Sequence, residues 1–351
     1  MKILYITVRS DFGGGPRHVD QLVNNLSRKY ELYLAAPYGN PYGTEWRNNK
    51  NIKGVLTIPY RRFSLEALLH MRGYIKTNGI TIVHSHGNGA GLYSRLLKLL
   101  CPKIKIIHTF HGITKNYNSW YKYIANLIIG KGLKYLTNEF ILVSNGEKQL
   151  GIQLGFINPK TSHVIYNGIN DTGIKQFRQT SKLNIITLSR FDYQKNMDLA
   201  FSIAKHFKTN EHIIFTWVGD GEDFQRLKEL SQKERININF IGFSNNPIKY
   251  MKEADIYLST SRFEGLPYAL IEAASVGLPI IATNVEGNNE CIKDKVTGFL
   301  FYNIEEGVSY IKQLQNDKIR EEMGKQSRKF FFENFTIEKM INKIISIYEN
   351  C

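Results

Sequence analysis

Cysteine is almost absent. Cys101, Cys291 and Cys351 are the only three in 351 residues, far apart, with no metal-type or redox-type pairing. That excludes a disulfide scaffold and fits a reducing compartment. Long apolar runs are missing as well. The N-terminal run is closed by Arg9 and Asp11, too early for a signal peptide. No stretch reaches the roughly 18 apolar residues of a membrane span. Low-complexity segments and short-period repeats are absent, which excludes fibrous and solenoid classes. The first half is also short of acid. Residues 1–170 carry 22 Lys and Arg against 7 Asp and Glu, whereas residues 171–351 carry 24 of each. The formal net charge of +15 therefore belongs to the first half. This asymmetry suits an anionic partner such as nucleic acid, acidic lipid or a phosphorylated substrate, the plain alternative being a merely soluble basic protein.

A hydrophobic content of 42% with 12% aromatics indicates a folded globular chain. Its length suits two domains. Short apolar runs alternate with amphipathic segments throughout. Strands are expected at residues 2–8, 31–36, 55–59, 81–86, 105–110, 140–144 and 163–166, then at 184–189, 213–218, 239–241, 255–259 and 279–282. Helical patterns fall at 16–28, 318–333 and 337–349, and segments of helical length separate most of the strands. Near-continuous apolar strands with helical crossovers imply parallel sheets covered on both faces. The rhythm breaks over 169–182, read as an interdomain linker. The expected organisation is an N-terminal domain over 1–168, a C-terminal domain over 183–333, and a last helix, 334–351, able to cross back to the first domain. Two doubly wound α/β domains then face each other across a cleft, with ligands beyond the carboxyl ends of the strands.

The first strand leads into Asp11-Phe12-Gly13-Gly14-Gly15-Pro16. Gly14 and Gly15 allow close backbone approach to a ligand, and Pro16 suits the first position of a helix whose N-terminus favours an anion. The spacing is not a dinucleotide fingerprint. Pro37 stands where an acidic residue would close the second strand, which argues against an NAD enzyme. The second domain opens with a strand followed by Ser189-Arg190-Phe191-Asp192-Tyr193-Gln194-Lys195-Asn196. Arg190 and Lys195, expected on the cleft surface, would clamp a diphosphate. Later comes Ser261-Arg262-Phe263-Glu264-Gly265-Leu266-Pro267-Tyr268-Ala269-Leu270-Ile271-Glu272. Here Pro267 opens a helix able to meet phosphate oxygens. Glu264 lies in the loop. Glu272 sits among Ala269, Leu270, Ala273 and Ala274, where a carboxylate needs a partner. Both could bind sugar hydroxyls.

Glu264 and Glu272, with seven residues between them, resemble the paired-glutamate signature of the family 4 retaining glycosyltransferases. The run from Ser261 through Thr283 is similar to that family's core. Arg190 and Lys195 resemble its phosphate-binding pair, and Val164 to Ile169 its interdomain segment. Val218-Gly219-Asp220-Gly221 and Ile241-Gly242-Phe243 resemble two further strand ends, and Gly13 to Gly15 its first-domain glycine loop. His108-Thr109-Phe110-His111-Gly112 adds a family-like feature to the first half. The resemblance implies a GT-B fold and a metal-independent transferase. Arg190 and Lys195 would neutralise the donor diphosphate in place of a metal. Glu264 would position the donor sugar, with Gly265, Leu266 and Pro267 beside it, and Glu272 would hold the ribose. His111 would sit beside the reacting carbon, unless it is a structural histidine. Gly242 and Phe243 would line the base pocket.

The expected reaction is transfer of a hexose or N-acetylhexosamine from a nucleotide-diphosphate sugar, a UDP-sugar on family grounds, to a lipid-diphosphate-linked saccharide. Its setting would be bacterial surface polysaccharide such as O-antigen or capsule, with no cofactor. Two segments, 92–105 and 120–135, combine cations with apolar groups, and the basic half is expected to meet an anionic membrane at the inner face of the cytoplasmic membrane. His84-Ser85-His86 and His108 with His111 lack a helical His-Glu-x-x-His arrangement, and no metal site is expected. The competing readings are a nucleotide-sugar epimerase or hydrolase on the same fold, and a non-catalytic polyanion-binding protein. No nucleic-acid module is recognisable.

Overall fold

The computed structural model describes residues 1–26, 29–113, 130–175 and 182–351. The chain divides into two compact units, one of residues 1–168 with 337–351 and the other of residues 169–336.

The first unit is built on seven parallel strands: β1 (Lys2–Thr7), β2 (Glu31–Ala36), β3 (Ile52–Thr57), β4 (Ile82–His86), β5 (Lys105–Thr109), β6 (Glu139–Leu142) and β7 (Ser162–Val164). Their spatial order is β3-β2-β1-β4-β5-β6-β7. The register pairs Ile3 with Leu32 on one side of β1 and with Ile82 on the other. Five of these strands are wholly buried from their second residue on, which is why they read as continuous apolar runs. Helices α1 (Gly14–Asn25), α2 (Tyr42–Arg47), α3 (Leu65–Asn78), α4 (Asn88–Leu100) and α5 (Asn145–Gln153) make the crossovers. Ser64 caps α3 by accepting the Ala67 N–H at 3.2 Å, and Gly79 ends it in the left-handed conformation.

The second unit holds six parallel strands: β8 (Leu183–Leu188), β9 (Ile213–Val218), β10 (Ile238–Gly242), β11 (Ile256–Ser259), β12 (Ile280–Thr283) and β13 (Gly298–Phe301). Their order is β10-β9-β8-β11-β12-β13, the doubly wound order of a nucleotide-binding sheet. β13 is absent from the strands expected above. Its four residues follow Thr297 without alternation, and Gly298 at its head weakens the sequence signal. That glycine is required, since a Cβ there would lie 1.9 Å from the Ile280 carbonyl oxygen on the neighbouring strand. Helices α6 (Met197–Lys205), α7 (Phe224–Glu234), α8 (Pro247–Lys252), α9 (Tyr268–Val276), α10 (Asn288–Cys291), α11 (Ile304–Gln313) and α12 (Asp317–Asn334) complete the unit.

The last helix, α13 (Ile337–Asn350), belongs to the first unit. Ile337, Met340, Ile341, Ile344, Ile347 and Tyr348 are buried, a 3–4 spacing that lays one face on the core containing Ile3, Tyr5 and Leu22. The Tyr348 hydroxyl lies 3.0 Å from that of Tyr5 and 2.6 Å from His84 Nδ1.

One expectation needs correction. Within 92–105, Arg95 does not join an exposed basic face. It is 6% exposed, and its Nε donates to Thr137 Oγ1 at 2.9 Å. Burial brings its pKa down to about 10. The helix turns Arg95 to the same side as Gly91, into the interior, and leaves Leu99 and Leu100 outside, with Lys103 and Lys105 exposed beyond its end. In the second segment residues 120–129 lie outside the described residues, as do 176–181 of the expected linker. No described helix is long and apolar enough to cross a membrane.

Candidate active site

In each unit the strand order reverses beside the first strand, between β1 and β4 and between β8 and β11. Connections there leave in opposite directions, and a crevice opens at the carboxyl ends.

In the second unit β8 runs into the loop of residues 189–196. The Ser189 and Phe191 N–H groups donate to Val218 and Asp220 carbonyls, each at 3.0 Å. This close approach requires glycine next to Val218. A Cβ on Gly219, whose φ is +136°, would lie 1.8 Å from the Ser189 carbonyl oxygen. Asp192 organises the loop from within. Its Oδ1 accepts the Lys195 N–H at 3.1 Å, and its Oδ2 lies 3.0 Å from Arg190 Nη2. The loop after β11 is tied to it. Thr260 Oγ1 donates to the Lys195 and Asn196 carbonyls at 3.1 Å, and the Arg262 N–H donates to the Gln194 carbonyl at 2.8 Å.

Glu264 lies where the two loops meet. Its Oε1 is 2.5 Å from Lys195 Nζ and accepts from Ser261 Oγ at 2.7 Å. Its Oε2 accepts from Gln194 Nε2 at 3.3 Å, and Gln194 Oε1 accepts from Arg190 Nη2 at 3.1 Å. One connected network therefore runs from Arg190 through Gln194 and Glu264 to Lys195. Arg190 is open to solvent, with 51% of its side chain exposed. Lys195 is less exposed than the surface position expected of it. Only 17% of its side chain is exposed, because it reaches inward to a carboxylate that is itself 7% exposed.

Beside this network α9 begins after Pro267, whose carbonyl accepts the Leu270 and Ile271 N–H groups. The Ala269 N–H thus precedes the first intrahelical bond. A small cavity lined by Ser189, Lys195, Thr260, Glu264, Pro267 and Ala269 sits at this helix start. Leu266 is buried. The Gly265 carbonyl packs against Gly287, where a Cβ would come within 2.4 Å. Glu272 is 4% exposed on α9. The buried Tyr257 hydroxyl donates to the Leu188 carbonyl at 2.9 Å. Burial drives its pKa upward, and the charges of Glu272 and Glu264 add to the rise. Gly242 ends β10 with φ +78°, and its carbonyl accepts the Gly219 N–H at 2.8 Å. Phe243 is 54% exposed beyond it.

The first unit holds the other predicted residues. Gly14 opens α1, and Gly15 stands against His111, where a Cβ would lie 3.4 Å from His111 Cδ2. His111 belongs to a cluster of five histidines. Its Nε2 is 3.2 Å from His86 Nδ1, and the His18 ring meets it edge-on at 4.9 Å. His18 Nδ1 lies 3.0 Å from Asn167 Oδ1. His84 bonds Thr109 and Tyr348, and His108 bonds Ser85. Burial holds all five pKa values down, that of His18 to about 4. Among the described residues no three His, Cys, Asp or Glu side chains are grouped to hold a metal ion.

The structure thus gathers Arg190, Lys195, Glu264, Gly265 and Pro267 beyond the carboxyl ends of β8 and β11 in the second unit, and Gly14, Gly15 and His111 in the first. Gln194, Ser261, His18 and His86 are additions. Gln194 and Ser261 stand inside the motifs read from the sequence, Gln194 between Arg190 and Lys195 and Ser261 three residues before Glu264, and that proximity is their only signal. His18 and His86 meet His111 from α1 and β4, separations that spacing cannot reveal.

A family model for glycosyl transferases group 1 matches residues 171–330, and one for Glycosyltransferase Family 4 matches residues 12–172. The chain belongs to the family 4 glycosyltransferases. It is 27% identical to the UDP-Gal:alpha-D-GlcNAc-diphosphoundecaprenol alpha-1,3-galactosyltransferase of Escherichia coli, over 81% of this chain and 79% of that one. It is 28% identical to the O-antigen biosynthesis glycosyltransferase WbnH of Escherichia coli, over 94% and 96%. The solved structure of HepE from Anabaena with UDP-glucose superposes with a TM-score of 0.85 at 16% identity, covering all of both chains. The fold is GT-B.

The buried histidines set a pH response. Each has a folded pKa below its unfolded value near 6.5, so between the two the unfolded chain binds more protons. Their contribution to stability is complete above pH 6.5 and is lost as pH falls from there towards about 4. Each histidine adds up to about 1.4 kcal/mol per pH unit to the slope. Urea denaturation between pH 6.5 and 5, a range in which ordinary carboxylates stay ionised, should show stability falling steadily. A flat or rising profile contradicts the assignment of neutral buried rings.

Proposed function

We propose that this chain is a retaining transferase moving a hexose or N-acetylhexosamine from a UDP-sugar to a lipid-diphosphate-linked saccharide, in the assembly of a surface polysaccharide such as O-antigen or capsule. The observation that carries this reading is the Arg190–Gln194–Glu264–Lys195 network at the β8/β11 switch point. It sets two cations and a carboxylate beside a helix start, and this chemistry supports binding of a sugar diphosphate. The E. coli galactosyltransferase that acts on GlcNAc-diphosphoundecaprenol supports the acceptor class, and the O-antigen glycosyltransferase WbnH supports the setting.

In the proposed reaction the bond between the sugar C1 and the β-phosphate oxygen breaks, and its electron pair leaves with the diphosphate. Arg190 and Lys195 stabilise that charge without a metal. The acceptor hydroxyl adds to C1 from the same face, and its proton passes to the departing phosphate oxygen. Glu264 holds the sugar, Glu272 the ribose, and Gly242 with Phe243 the base. His111 stands at the reacting carbon, with Gly14 and Gly15 admitting the diphosphate.

NMR of the product should show the donor's anomeric configuration kept, with turnover intact in EDTA. An inverted product, or activity abolished by EDTA and rescued by Mg²⁺, refutes the mechanism. Conversion of the donor with no acceptor present would instead identify an epimerase or hydrolase.

Arg190→Ala and Lys195→Ala should each lower turnover by more than about tenfold. The two should differ in stability. Arg190→Ala removes an exposed side chain and should unfold like wild type. Lys195→Ala strands the Glu264 carboxylate and should cost about 2 kcal/mol in urea denaturation. Near-native turnover in either variant refutes the clamp.

The basic first unit would meet an anionic leaflet. Lys103 and Lys105 with Leu99 and Leu100, and Lys131 with the 81% exposed Tyr135, remain on its surface. Binding to anionic vesicles should weaken in high salt. Equal sedimentation with neutral and anionic vesicles removes this part of the reading.

A further inference from the structure

His86 closes β4, the strand flanking the switch point of the first unit. Its ring is 3% exposed and lies between His84, at a centroid distance of 4.2 Å, and His111, at 5.5 Å and 20° from parallel. The contact with His111 is His86 Nδ1 to His111 Nε2 at 3.2 Å. His86 Nε2 is buried and has no hydrogen-bond partner among the described residues.

Two neutral imidazoles that share one hydrogen bond must divide the roles, one nitrogen donating and the other accepting. If His86 Nδ1 accepted, its proton would sit on Nε2, a buried donor with nothing to receive it. If His86 Nδ1 donates, Nε2 keeps only a lone pair. An orphaned donor is the rarer and costlier state. The second arrangement therefore wins. His111 Nε2 is then the acceptor, and the His111 proton resides on Nδ1.

We infer that His86 is a positioning residue that holds His111 in the Nδ1–H tautomer and presents that N–H as a hydrogen-bond donor to a sugar oxygen of the bound nucleotide sugar. His18 edge-on to the His111 ring and Gly15 beside its Cδ2 confine the plane. Since neither position can follow a rotated ring, His86 selects both the protonated nitrogen and its direction. The inference rests on the reading that His111 faces the donor sugar.

Two measurements on the full chain decide it. In ¹⁵N NMR of histidine-labelled protein, with the His111 signals assigned from a His111→Gln variant, Nε2 should be unprotonated and Nδ1 protonated. In His86→Leu the ring should drift to the Nε2–H form. An Nε2–H signal in wild type overturns the inference directly. Kinetically, His86→Leu should lower kcat by roughly ten- to a hundredfold with little change in donor KM. His86→Asn keeps an N–H donor near the Nδ1 position and should recover most of that loss at matched melting temperature. Equal activity of the Leu and Asn variants also overturns it. If His111→Ala keeps wild-type turnover, the reading of His111 fails instead, and the tautomer measurement still judges His86.

Discussion

Every strand in both sheets runs parallel to its neighbours, and the candidate chemistry depends on that one constraint. A parallel pair cannot be joined by a tight turn, so each connection crosses over and returns to the same starting edge. All carboxyl ends in a unit therefore collect on one side. Where the order reverses, the loops leaving two adjacent strands part and leave a crevice. The loops after β8 and β11 meet there through Thr260 and Arg262, and Glu264 contacts Lys195 only because of that meeting.

Charge at these strand ends is arranged by the protein's own groups. Lys195 reaches inward to Glu264, and Arg190 is held by Asp192 and Gln194. Such pairing lowers the cost of keeping an ammonium out of water and holds its head in one place. The two cations differ in kind. Arg190 is the accessible one, whereas Lys195 is built into the loop junction. The glycines nearby serve the same junction, Gly219 by letting one loop press against Ser189 and Gly287 by letting another press against Gly265.

The first unit solves a different problem, a buried polar patch. Four buried histidines, Tyr5 and Tyr348 lie beneath the strand ends, with the half-buried His111 beside them. Their burial is tolerable because the rings are neutral and mostly paired. The last helix supplies Tyr348, so the chain's final residues complete a network begun by its first strand. This couples the seating of α13 to the orientation of the rings around His111.

Much of the architecture was legible in the sequence. Near-continuous apolar runs alternating with helical spacings determined two parallel sheets, since only strands covered on both faces carry such runs. The candidate residues of the second unit were legible too, because Arg190 with Lys195 and Glu264 with Glu272 lie close in the chain and in motifs resembling a known family. β13 escaped, being four residues headed by a glycine. The burial of Arg95 is not legible in this way, because a cation in a basic helix gives no sign of which face will be buried. What only the tertiary structure decided is how distant segments meet. Lys195 and Glu264 are 69 residues apart, and His86 and His111 are 25 apart. Spacing informs on contacts within one helix or strand, where the backbone period sets the neighbours. Contacts across a sheet depend on strand order and register, which the packing of the whole unit selects.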